Sequence, residues 1–212
     1  MNSNKLIRLN IAFKPPKNVI KKVISLSQKI YKSNETVFIL DNIKFHPHIT
    51  IYAPKYRKDD IGKILEGVEE IAKSTRNIEF RFQKVSGGQG FIGVKFNHSP
   101  DIKKLHKEII AKLNPLQKKH IKNENQESSD YHYNFSSKQK ENIKKYGCSD
   151  SMTLYSPHLT ITRLKNRLST EKIMKNINWD IPRFAVDKIA VYKMGKHGAC
   201  KKMIKEFSLS PK

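Results

Sequence analysis

A Pro-His-apolar-Thr-Ile pattern occurs twice in this chain, as Pro47-His48-Ile49-Thr50-Ile51 and as Pro157-His158-Leu159-Thr160-Ile161. The two histidines stand 110 positions apart. Both stretches are rich in β-forming residues. Successive side chains of a strand point to opposite faces, so each histidine shares a face with the threonine two residues on. Ile49, Ile51, Leu159 and Ile161 then turn toward a core. One such triplet arises by chance in many proteins. Two of them, each after a proline, before an isoleucine and a lobe's length apart, predict two similar units that each lend one strand to a shared groove.

The elements around the motifs fit that plan. Leu6 to Phe13 alternates and reads as a first strand, closed by Pro15-Pro16 before a helix from Lys17 to Tyr31 striped by Val19, Val23, Leu26 and Ile30. Val37 to Leu40 is short and extended, and His48 to Ala53 is the first motif strand. Asp59-Asp60 caps a helix that runs to Lys73. Ile78 to Val85 and Phe91 to Phe96 form a hairpin around Gly87-Gly88-Gln89-Gly90. Ser99-Pro100 opens a helix to Leu113. Ser137 caps a short helix ending at Gly147, and Pro157 to Thr162 is the second motif strand. A short helix at Thr170 to Ile177 precedes a closing hairpin of Phe184 to Met194 and Ala199 to Leu209. The order is neither a regular βαβ series nor a short tandem repeat. It predicts an α+β fold of two similar lobes, with residues 1–212 forming a single bilobal domain. The polar run 115–136 is either a flap over the groove or a tolerated insertion.

Two histidines and two threonines facing one groove have a definite chemistry. Breaking a phosphodiester or a cyclic phosphate needs one group to take a proton from the nucleophile and another to give one to the leaving oxygen. Imidazole, with an ordinary pKa near 6.5, does either at neutral pH. Placed on opposite sides of a phosphorus, two imidazoles allow in-line displacement without a metal. Threonine hydroxyls donate to the non-bridging oxygens, where charge is held in the transition state. A ribose 2′-hydroxyl, or the 2′,3′-cyclic phosphate derived from it, suits such a site.

His48-Ile49-Thr50-Ile51 and His158-Leu159-Thr160-Ile161 resemble the two signatures of the 2H phosphoesterase superfamily, which includes bacterial RNA 2′,3′-cyclic phosphodiesterases, also called 2′,5′-RNA ligase-like proteins. The form Pro157-His158-Leu159-Thr160-Ile161-Thr162-Arg163 is especially similar to that branch. The resemblance implies two mainly antiparallel sheets forming a central cleft, helices on the outside, pseudo-two-fold symmetry and a metal-independent mechanism. It assigns His48 and His158 as catalytic acid and base, without saying which is which, and Thr50 and Thr160 as phosphate-holding hydroxyls. Arg163 matches the arginine that often follows the second motif. Strict alternation, however, turns Arg163 away from His158 and Thr160 unless the strand bulges.

Other residues fill out the expectation. Tyr52, Tyr155 and Tyr192 are candidates to stack on a base, or else core and groove wall. Gly88-Gln89-Gly90-Phe91-Ile92-Gly93 spells GxGxxG, but strand-forming residues follow it, which favours a hairpin turn over a dinucleotide site. His46, His48 and His158 offer three imidazoles, yet no acidic residue or cysteine lies beside either motif, so no metal and no cofactor is expected. His106, His120 and His132 read as solvated. The 42 Lys and Arg residues against 19 Asp and Glu leave a net charge of +23, which draws polyanions or reflects a lysine-rich surface. The partner expected is an RNA end or a nucleotide bearing a phosphodiester. Cys148 and Cys200 are in no metal-binding spacing and read as free thiols in a reducing compartment. No run reaches the ~20 apolar residues of a membrane span. A cytoplasmic monomer is expected. The function that follows is hydrolysis of 2′,3′-cyclic phosphate ends. The alternatives are action on 2′,5′-linked or cyclic oligonucleotides, or RNA binding without turnover.

Overall fold

Apolar alternation and proline stops lay down the chain's elements in an antiparallel arrangement. The computed structural model describes residues 5–118 and 135–211. In order these form β1 (Leu6–Phe13), α1 (Lys17–Ser33), β2 (Thr36–Phe38), β3 (Ile49–Tyr52), β4 (Lys55–Arg57), α2 (Ile61–Ser74), β5 (Ile78–Gly88), β6 (Phe91–Phe96), α3 (Pro100–Leu113) and α4 (Ser137–Tyr146). After these come β7 (His158–Leu164), α5 (Thr170–Lys175), β8 (Arg183–Val186), β9 (Lys188–Met194) and β10 (Cys200–Ser208). Most of the polar run expected as a flap, with His120 and His132, lies outside the described residues.

The strands follow the order β10-β9-β1-β3-β7-β6-β5-β8, with β4 added beside β1 and β2 beside β7. Five strands on each side of the β3–β7 seam, β4, β10, β9, β1 and β3 against β2, β7, β6, β5 and β8, make the two lobes of this α+β fold. The seam itself is narrow: β3 and β7 pair antiparallel at Ile49 and Leu159. Helices α2 and α3 pack together and cover the β10-β9-β1-β3 half, while α1 and α5 lie against β7, β6 and β5. The lobes are not successive halves of the chain. Segments after β1 cross to the second lobe, and β9 returns to flank β1 with β10 on its outer edge. One continuous core runs under the seam, where Phe13 of β1 meets Phe80 of β5 edge-on at 5.0 Å, and Phe80 stacks on Phe184 at 5.4 Å. Aromatic pairs of this kind add to the area they bury.

Three local expectations are corrected. Helix α4 is capped by Ser136, not Ser137; the Ser136 hydroxyl accepts from the Gln139 N–H, and Gln139 reaches back to the Ser136 N–H as a capping box. Asp60 makes no side-chain cap at α2; a 3₁₀ turn, Lys58–Asp60, leads into it instead. The first arm of the expected closing hairpin is two strands. Arg183–Val186 pairs with β5 at the second lobe's edge, and the chain then crosses at Asp187 to pair Lys188–Met194 with β1 and β10. The glycine-rich turn is a hairpin turn. Gln89 and Gly90 have φ of 53° and 86° between the paired Gly88 and Phe91, the type I′ geometry that matches strand twist.

Candidate active site

The Pro-His step sets each motif imidazole. Proline lacks an N–H and forces the residue before it into extended backbone. The carbonyl of His46 thereby lies 2.8 Å from Nδ1 of His48, and the carbonyl of Ser156 lies 2.8 Å from Nδ1 of His158. A carbonyl only accepts, so Nδ1 carries the proton in both rings and each Nε2 is left for chemistry.

The register at the seam sets how the four side chains sit. With Ile49 opposite Leu159, both fully buried, the next step in each direction places His48 across from Thr160 and Thr50 across from His158. The four occupy the corners of one ladder cell on the face opposite the core. Histidines take one diagonal, about 7–8 Å between backbones in such a ladder, and threonines take the other. That spacing leaves room for one phosphorus between two imidazoles.

Immediately after each threonine the strand bulges. On β3, Thr50 and Tyr52 oppose the consecutive residues Ala12 and Ile11; on β7, Thr160 and Thr162 oppose Gly93 and Ile92. Ile51 and Ile161 are the extra residues. A bulge reverses the alternation beyond it, and this decides the fate of two predicted residues, Tyr52 and Arg163, and of Thr162 between the second motif and Arg163. Tyr52 turns into the core, 2% exposed, where its hydroxyl donates to Asn114 Oδ1 and the Tyr146 carbonyl. Arg163, expected on the far face, comes round to the cleft side, where its Nη1 lies 3.1 Å from Nδ1 of His197. Thr162 is fully buried and donates to the Phe38 carbonyl. Gly93 permits the β6–β7 approach, since a Cβ there would lie 2.5 Å from the Leu159 carbonyl oxygen.

The two remaining tyrosines are also buried and offer no stacking face to a base. Tyr155 lies parallel to His106 at 3.9 Å and donates to the Thr50 carbonyl. It braces the first motif from the segment that leads into the second. Tyr192 sits beneath the site with its ring 5.4 Å from His46 and 6.3 Å from His48. His106, expected in solvent, is 2% exposed; Nδ1 donates to the Ile51 carbonyl and Nε2 accepts from the Met152 N–H.

The two motif histidines differ in surroundings. His48 is half-buried and His158 exposed. Burial pushes the His48 pKa down to about 4, reinforced by His158 and His46 and opposed by the His46 carbonyl. His48 is therefore neutral at pH 7.

Several site residues carried no motif. Asn10, fully buried on β1, donates Nδ2–H to Thr50 Oγ1 at 2.9 Å, leaving that hydroxyl's proton to point elsewhere. Its one available signal was a lone polar residue inside the apolar run Leu6–Phe13. Lys95 stands directly opposite His158 in the β6–β7 ladder and so shares its face. His197 borders the cleft together with His46, His48, Thr160, Leu40 and Phe45. Among the described residues no group of three or more His, Cys, Asp or Glu side chains is close enough to hold a metal ion. Cys148 and Cys200 are free thiols. No helix among the described residues is long and apolar enough to cross a membrane.

The antiparallel seam of β3 and β7 brings the two histidine–threonine pairs together in one α+β fold. Residues 43–198 match the family model of the 2′-5′ RNA ligase superfamily, and the chain belongs to that superfamily, within the 2H phosphoesterases. Solved structures with a similar fold include TT0787 of Thermus thermophilus (16% identity, 96% of this chain and 98% of that chain, TM-score 0.59). Another is E. coli LigT complexed with 3′-AMP (11% identity, 98% and 99%, TM-score 0.56). LigT complexed with phosphate is similar at TM-score 0.53, again with 11% identity and coverage of 98% and 99%. No curated protein matched. Membership of this superfamily supports a phosphoesterase-like activity.

Proposed function

We propose that the protein hydrolyses the 2′,3′-cyclic phosphate of an RNA end or a small nucleotide, without a metal ion. The observation that carries this reading is the ladder cell in which His48 faces Thr160 and Thr50 faces His158. His48, neutral through burial, takes a proton from water as the water oxygen bonds to phosphorus. The bond from phosphorus to one ribose oxygen breaks, and His158, at the open side of the cell, acts as the acid that gives a proton from Nε2 to that oxygen. A phosphate anion beside His48 favours its protonated form, so bound substrate strengthens His48 as a base. Thr50 and Thr160 donate to the non-bridging oxygens. The complexes of E. coli LigT with phosphate and 3′-AMP support a nucleotide phosphate as the ligand class.

The test is turnover by purified protein in excess chelator. Its substrates are a nucleoside 2′,3′-cyclic monophosphate, an oligoribonucleotide with a cyclic end and a 2′,5′-linked dinucleotide. Turnover of the cyclic phosphates, abolished in His48→Ala and in His158→Ala, is expected. Full activity in either variant rejects the mechanism. The superfamily's name favours one second reading, action on a 2′,5′ linkage, which the dinucleotide arm detects. Tight, salt-sensitive RNA binding with no product would make the protein a binding module instead.

A further inference from the structure

We propose that His197 is a third histidine of this site, a hydrogen-bond donor to the substrate's phosphate, and that Arg163 is the positioning residue that sets its tautomer. The inference rests on the phosphoesterase reading above. His197 belongs to neither motif and reaches the cleft from the turn between β9 and β10. That turn is Gly195-Lys196-His197-Gly198, and His197 lines the same cleft as His48 and Thr160.

The contact with Arg163 determines which nitrogen is the donor. A guanidinium has N–H donors and no acceptor, so the Nη1 atom 3.1 Å from Nδ1 of His197 can only donate to it. Nδ1 then carries the lone pair, and the ring's proton sits on Nε2. His48 and His158 have the opposite anchoring, with Nδ1 donating to a backbone carbonyl and Nε2 turned to proton transfer. The site thus holds two imidazoles arranged to exchange protons through Nε2 and one arranged to present an N–H from Nε2. Arg163 is itself held. It is 4% exposed, its Nε donates to the Gln89 carbonyl, and its guanidinium lies 4.8 Å from the centre of the Phe91 ring. The Ile161 bulge brings Arg163 to this side of the sheet.

The backbone gives a separate reason. His197 has φ of 61° and ψ of 23°, the left-handed region that glycine enters freely and other residues enter at a cost. Both ends of the turn are already glycine, and a third would relieve the strain. A histidine kept in that conformation beside a cleft is the kind of strained residue that function retains.

The experiment compares the unaltered protein with His197→Gly, His197→Asn, Arg163→Lys and the His197→Gly/Arg163→Lys double variant. It reads kcat and KM on cytidine 2′,3′-cyclic phosphate, the Kd for inorganic phosphate by calorimetry, and the melting temperature. His197→Gly is expected to lower kcat about a hundredfold, as for loss of one preorganised donor. Phosphate binding weakens about tenfold. The melting temperature stays level or rises, because glycine suits the turn. Asparagine, which tolerates left-handed backbone and carries an N–H, restores part of both losses. The double variant loses little more than the worse single variant, since both act through one contact. Wild-type turnover and phosphate affinity in His197→Gly overturn the proposal. So does a fall in melting temperature with kcat per folded molecule unchanged, which marks a purely structural role. If the unaltered protein turns over no phosphoester yet binds phosphate in a manner dependent on His197, the phosphoesterase reading fails and this one stands. Neither turnover nor phosphate binding overturns both.

Discussion

His48 and His158 are held by the same device: each donates Nδ1–H at 2.8 Å to the carbonyl two residues earlier, across an intervening proline. The lobes therefore present two Nε2 atoms in matching orientation. Removing either ring is expected to lower kcat by about 10³-fold or more on a 2′,3′-cyclic nucleotide, within the range of general acid–base catalysis. His158→Ala leaves the melting temperature almost unchanged, because the ring is exposed. Steady-state kinetics and a thermal melt on the same preparations check both statements.

The two threonines are expected to differ in a way the motif does not show. Thr160→Val removes a donor to the phosphate and lowers kcat about tenfold to a hundredfold. Thr50→Val does the same and also leaves the buried Asn10 amide without its acceptor, at a further cost of about 1–3 kcal/mol in stability. Urea unfolding of the two variants side by side separates them.

His106 makes the fold sensitive to acid. Its buried ring uses one nitrogen as donor to Ile51 and the other as acceptor from Met152, an arrangement only the neutral form satisfies. Burial, partly offset by the Ile51 carbonyl and aided by nearby His98, pushes its pKa down to about 4. The unfolded chain takes up this proton near the ordinary value of 6.5 and the folded chain near 4. The contribution is thus complete above about pH 6.5, declines as pH falls toward 4 and then levels off. It amounts to on the order of 3 kcal/mol. His106→Gln is expected to be less stable at pH 7 and to lose less on acidification, as followed by unfolding free energy against pH.

Gly93→Ala tests the β6–β7 approach behind the second motif. The added methyl would meet the Leu159 carbonyl at 2.5 Å, and backbone has no room to yield on both sides. A loss of about 2–4 kcal/mol is expected, with activity falling faster than stability because β7 carries His158 and Thr160. Gly62→Ala, in open space on α2, is the control and is expected to be neutral or slightly stabilising.

Lys95 is expected to act on binding more than on chemistry. It shares a face with His158, and Lys95→Gln should raise KM severalfold for a cyclic-ended oligoribonucleotide with little change in kcat. The effect should shrink as salt rises, because screening weakens the same attraction. KM measured at two ionic strengths checks it.

Local pattern was enough for much of this protein. Alternation marked β1 and β6 to the residue, the Ser99-Pro100 pair marked the start of α3, and the repeated Pro-His-apolar-Thr-Ile marked the two strands that meet at the seam. These features depend on neighbours a few positions away, which a sequence displays directly. Only the tertiary structure decided which strand lies beside which, and which face each side chain takes beyond Thr50 and Thr160. The bulges at Ile51 and Ile161 exist because β1 and β6 run past with one residue fewer, a fact about partners 39 to 69 positions away that no periodicity records. By reversing alternation they send Tyr52 into the core and bring Arg163 to His197. The chemistry was written in short-range spacing; the arrangement around it came from pairing at long range.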